Sequence, residues 1–128
     1  MMIEVSIGEV VDKITILQIK EKNIKDESKL RYIRLEIEVL QTALDKEEVE
    51  VPEEMINDLR TINQKLWDTE DVIRESEKIE SFGPEFVRHA RMDALLNDQR
   101  FLAKNKINNH CQSLIKEQKS YEGLYTAD

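Results

Sequence analysis

The residues best suited to chemistry in this chain lie on two segments. Leu66 to Arg74 carries Trp67, Glu70 and Arg74, and Ala90 to Asn108 carries Arg91, Asp98, Arg100, Lys104 and Asn108. At about 100° per helical residue, Asn63, Trp67, Glu70 and Arg74 flank one edge of an apolar stripe, and Glu70 and Arg74 have the i,i+4 spacing of an ion pair. In the later segment Arg91, Asp98, Asn105 and Asn108 share an arc with Val87, Ala90, Ala94 and Phe101. Polar groups on a core-facing arc need partners, because an unpaired buried charge is costly. Two chemistries fit. One is a closed polar layer centred on Glu70, Arg74, Arg91 and Asp98. In it, Glu70 and Arg74 on the earlier helix partner the antiparallel later helix and fix helix register. The other is a small-anion pocket in which Lys13, Arg74, Arg91, Arg100 and Lys104 surround Glu70 and Asp98.

Other reactive side chains form no recognisable catalytic set. His89 and Asp93 have the spacing to orient an imidazole, but His110 is roughly six turns away and neither HExxH nor Glu-x-x-His occurs. Cys111 adjoins His110, yet helical neighbours diverge by about 100°, so a Cys–His nucleophile is not expected. Glu47/Glu50 and Glu77/Glu80 have the Glu-x-x-Glu spacing of helical nucleotide pyrophosphohydrolases, but no Glu-x-x-Asp follows on a later helix. No metal site and no cofactor is expected.

The elements that position these residues are helices. Three glycines and two prolines in 128 residues suit a few long helices, not many short strands. Met1 to Val5 reads as an extended lead-in. Ser6-Ile7-Gly8-Glu9 is a capping box. Behind it Val10, Ile14, Leu17 and Ile24 line one side of a helix, while Ile16 and Ile19 lie on another, so this helix is either central or shared with a second chain. Lys25 to Ser28 breaks it, with Asp26 or Ser28 as the next N-cap. Leu30, Ile33, Ile37, Leu40 and Leu44 form the clearest heptad. Pro52 opens a third helix running to about Glu80, and Pro84 opens a fourth running to about Lys116. The expected fold is all-α: a single domain over 1–128, an antiparallel bundle of about four helices with a long C-terminal hairpin. The longer pair must overhang the shorter pair or bury its excess against another chain. The 117–128 tail carries Tyr121, Leu124 and Tyr125, which can pack back on the bundle.

The totals narrow the partners. A formal charge of −8 argues against nucleic acid, the absence of an 18-residue apolar stretch against a membrane, and a lone cysteine for a reducing, cytoplasmic setting. Ile3 to Ser6, Gly8 to Leu17, Lys29-Leu30, Lys65 to Arg74, Ala90-Arg91, Asn97 to Arg100, Lys104 to Asn108 and Lys119 to Tyr121 together resemble an uncharacterised family of small helical bacterial and phage proteins. Ala94 and Leu95 depart from it where an aromatic is expected. The resemblance implies helical structure and no activity. The reading that follows is a non-enzymatic assembly or adaptor module, expected as a homodimer or bound to another protein. The alternatives are a small-anion binder or enzyme, and a phage accessory protein that binds a host factor.

Overall fold

The computed structural model describes residues 1–123 and contains four α-helices: α1 (Ile7–Asn23), α2 (Glu27–Asp45), α3 (Glu53–Lys78) and α4 (Pro84–His110). Local chemistry sets most of the boundaries. The Ser6 hydroxyl accepts from Glu9 N and opens α1; the Asp26 carboxylate accepts from Ser28 N and Lys29 N and opens α2. Pro52 is the N-cap of α3, and Pro84 is the first residue of α4.

The C-termini of α3 and α4 share one device. Glu80 and Gln112 both adopt φ +53°, and the next residues, Ser81 and Ser113, donate backbone hydrogen bonds to Ser76 O and Asn108 O. This is the six-to-one closure of a Schellman turn, built at each end without glycine. It stops α4 at His110, short of the expected Lys116. Because the turn residue is a glutamine, no glycine marks the stop in the sequence.

The chain folds as two helical hairpins. α1 lies between α2 on one side and the α3/α4 pair on the other, and α2 comes within 8 Å, Cα to Cα, of α1 alone among the helices. The central position answers the two-sided apolar pattern of α1: Val11, Ile14, Leu17 and Ile19 are all buried within the chain. Val11, Leu59, Ile107 and Cys111 form the heart of the core, with Ile7, Leu44, Met55 and Ile56 around it.

α1 also crosses its neighbours. Its first turn sits on α4, where Gly8 N donates to Asn108 Oδ1; its middle touches both helices; its later turn meets α3, where Arg60 donates to Gln18. These hydrogen bonds engage α3 no further than Asn63 and α4 from Arg100 onward, and the later turns of α1 line a shared pocket with α3 as far as Lys65. At about 1.5 Å per residue, α3 and α4 are roughly 40 Å long and α1 roughly 26 Å. The hairpin therefore projects beyond α1 as a two-helix arm.

Candidate functional site

The buried polar residues gather where α1 crosses the hairpin. Asp12 is 1% exposed. Its Oδ1 accepts from Asn63 Nδ2 and from Arg100 Nε, both at 2.9 Å, while its Oδ2 accepts from Arg100 Nη2. The guanidinium thus grips the carboxylate through two nitrogens, the strongest common geometry for such a pair. Asp12, the side chain first, holds the Arg100 guanidinium more firmly protonated than usual against the opposing effect of burial. Thr15 completes the cluster: its hydroxyl donates to Asp12 O at 2.7 Å and accepts from Asn63 at 2.9 Å.

A second ionic group lies one turn along α4. Lys104 Nζ is 3.2 Å from Glu9 Oε2 and 2.6 Å from Glu117 Oε1, and Lys119 stands 3.4 Å from the other Glu117 oxygen. Burial alone would raise the Glu117 carboxyl. Lys104 and then Lys119 outweigh it and hold the group below the ordinary carboxylate range. Three carboxylates, on Asp12, Glu9 and Glu117, thus face three cations, on Arg100, Lys104 and Lys119.

Close approach of backbones makes this arrangement possible. A Cβ at Gly8 would stand 2.5 Å from Lys104 O and 2.8 Å from Asn108 Oδ1, so any larger residue would push α1 off α4. The Gly8 N–H donates to Asn108 Oδ1 at 2.7 Å and thereby orients that amide. Ile7 N, another free donor of the first turn, reaches Ser113 Oγ.

The residues singled out in the sequence divide by position. Arg100, Lys104 and Asn108 belong to the α1 crossing. Asp98 is buried nearby and accepts from the Tyr121 hydroxyl at 2.7 Å, which raises the phenol above its ordinary value. Arg74 and Arg91 are exposed on the arm, away from that cluster, so the expected layer centred on Glu70, Arg74, Arg91 and Asp98 does not form. Lys13 is exposed and pairs with Glu36 on α2. Trp67 is half-buried on α3.

Glu70 is raised above the ordinary carboxylate value, first by burial and then by Asp93, which meets it from α4. His89 does not pair with Asp93. Its Nδ1 lies 2.9 Å from the Glu85 carbonyl oxygen, back along its own helix.

Sequence reasoning missed Asp12 and Thr15 as members of the site, and placed Asn63 only on the edge it shares with Trp67, Glu70 and Arg74. A signal was present. Gly8, Asp12, Thr15 and Ile19 recur at steps of four, three and four, and Asn63 sits between Leu59 and Leu66 at the same steps. Both are core positions filled by small or polar residues.

Chemically, the arrangement is closed. The Arg100 and Lys104 cations are taken up by carboxylates of the same chain. Burial raises the Cys111 thiol, so it is a poor nucleophile near neutral pH. Among the described residues, no group of three or more His, Cys, Asp or Glu could hold a metal ion, and no helix is long and apolar enough to cross a membrane.

No curated protein and no solved structure matches the chain. One family model does, over residues 1–127, and the chain accordingly belongs to the Family of unknown function (DUF6165).

Proposed function

We propose that the chain is a non-enzymatic helical assembly module that works as a cytoplasmic homodimer. The observation that carries this reading is the outer face of α2. Tyr32, Leu35 and Val39 are 73%, 55% and 58% exposed, and they recur at three- and four-residue steps on a helix that, among the described helices, α1 alone covers. Such a stripe is the usual seam of a helix pair.

The charges beside the stripe favour a second copy as the occupant. Arg31 precedes Leu35 by four residues and Glu38 follows it by three, both exposed on the same side. Two α2 helices related by a two-fold axis at Leu35 run antiparallel. Arg31 of each copy then lies level with Glu38 and Val39 of the other, a self-complementary arrangement.

The closed pairing of Arg100 and Lys104 weighs against the small-anion alternative, because a ligand anion would have to displace carboxylates already in place. Sedimentation or light scattering tests the proposal. The wild-type chain is expected to run as a dimer at micromolar concentration, and Leu35→Glu as a monomer with unchanged helix content. A wild-type monomer throughout that range would overturn the reading.

A further inference from the structure

A pocket of about 740 Å³ opens between the later turns of α1 and the middle of α3. Thr15 and Ile19, both buried, form its base, and Gln18 and Lys22 from α1 and Arg60 and Lys65 from α3 stand around it. Thr15, Gln18 and Lys22 follow at steps of three and four, and Arg60 and Gln64 are four apart, so each helix turns one side to the pocket. All of its lining comes from these two helices. The tail's Tyr121 packs on α4 instead, and Leu124 and Tyr125 lie outside the described residues.

The Arg60 guanidinium is held by neutral groups alone. Its Nη1 donates to Asn57 Oδ1 and its Nη2 to Gln18 Oε1 at 3.2 Å, and among the described residues no carboxylate pairs with it. Each of those nitrogens bears a second N–H and Nε bears one more, so the fork is fixed in place with donors to spare. Lys22 and Lys65 likewise make no ion pair among the described residues. The carboxylates nearby are occupied: Glu21, on the pocket's lining, lies 3.3 Å from Arg34 Nε on α2, and Asp68 accepts from the Gln64 amide at 3.1 Å. Carbonyls at the end of α1 are answered as well. Asn23 Nδ2 donates to Ile19 O at 2.8 Å, and Ile24 N donates to Lys20 O. Three cations without counter-charges on one pocket run against a formal charge of −8 for the whole chain. They also reverse the α1 crossing, where carboxylates of the same chain take up Arg100 and Lys104.

We propose that this pocket binds a small phosphorylated molecule, its phosphoryl group on the Arg60 fork and its charge shared with Lys22 and Lys65. A guanidinium can grip two phosphoryl oxygens at once, and a dianion calls for more than one cation. Ile19 and the Thr15 methyl give the carbon skeleton an apolar surface, and Gln64 and Thr61 at the edge offer hydrogen bonds to its hydroxyls. The volume lies within the roughly 300–1,000 Å³ of small-molecule sites. The pocket uses no residue of α2, so ligand binding does not depend on the α2 pairing.

Titration of the isotope-labelled full-length chain with inorganic pyrophosphate, at constant ionic strength, tests the site by nuclear magnetic resonance. Saturable shifts are expected at the Arg60 Nε–H and at the Gln18 and Gln64 side-chain amides. Arg60→Gln is expected to weaken binding about tenfold, and the double variant Lys22→Gln with Lys65→Gln by a similar factor, while Arg91→Gln on the arm leaves it unchanged. Both lysines are exposed, so the double variant reports even where Arg60→Gln disturbs the fold. Absence of saturation up to about 10 mM pyrophosphate would overturn the proposal. So would shifts spread evenly over the surface lysines, or an equal loss in Arg91→Gln, because either is general charge screening. A dimer that binds no pyrophosphate removes the pocket alone, and a monomer that binds it there removes the α2 pairing alone.

Discussion

The two halves of the α3/α4 hairpin use the same residue types differently. In the half that α1 crosses, charged groups are buried and matched: Asp12 with Arg100 and Asn63, Lys104 with Glu9 and Glu117. In the arm, Arg74 and Arg91 are exposed and apolar residues such as Phe82 and Val87 lie open beside them. A two-helix arm can bury one stripe per helix, here Leu66, Thr69, Ser76 and Leu96, and has no third wall for the rest. Polarity alone therefore does not mark a site. The third helix decides whether a given arginine becomes a structural partner or a surface charge.

The sharpest test of this contrast is Asp12→Ala. It strands the Arg100 guanidinium and the Asn63 amide together, and loss of one partner from a buried pair costs about 3–5 kcal/mol. Because the Arg100 side chain is 27% exposed, the expected loss in urea unfolding is about 3 kcal/mol. A loss below about 1 kcal/mol would show the cluster to be no more than a surface network.

Gly8→Ala is expected to destabilise by about 1–3 kcal/mol through overpacking against Lys104 O, although alanine is the better helix former. A stabilised variant would mean that α1 and α4 yield easily at this contact. In the arm, Arg91→Ala is expected to change stability by less than about 0.5 kcal/mol in the same assay. A larger loss would give the arm a buried partner and erase the contrast.

The two shifted carboxyls offer the finest comparison, because their signs oppose. Glu117 is held below the ordinary 4.5, so its contribution is present above that pH and is lost as pH falls toward its folded value. Glu70 is raised above 4.5; its contribution is present at low pH and is lost as pH rises through its folded value. Melting temperature followed from about pH 3 to 7 should therefore fall less steeply on acidification in Glu117→Gln than in wild type. Glu70→Gln should fall more steeply. Parallel curves for the two variants would remove the distinction.

Much of the architecture was legible because helix starts are local chemistry. Ser6, Asp26, Pro52 and Pro84 each announce an element within a few residues. The candidate site was half legible. Arg100 and Lys104 entered only as candidate cations for a small anion. The stripe of α4 picked out Asp98 and Asn108, since periodicity reveals which side of a helix is turned inward. It does not reveal which element meets that side. Glu70 and Arg74 were assigned as partners because α3 and α4 form a hairpin, whereas α1 crosses over Asn63 and Arg100 and supplies Asp12 instead. That crossing depends on the missing side chain of Gly8 and on packing between segments far apart in sequence.

The Asp12–Arg100 pair spans 88 residues, which gives it a consequence during synthesis. Residue 12 is added to the growing chain long before residue 100, by roughly 4 to 18 seconds at 5–20 residues per second. Through that interval the first hairpin can coil, but its central face holds an aspartate whose cation does not yet exist. Water must keep that face, and the nascent α1 cannot settle into a finished core until the last helix arrives.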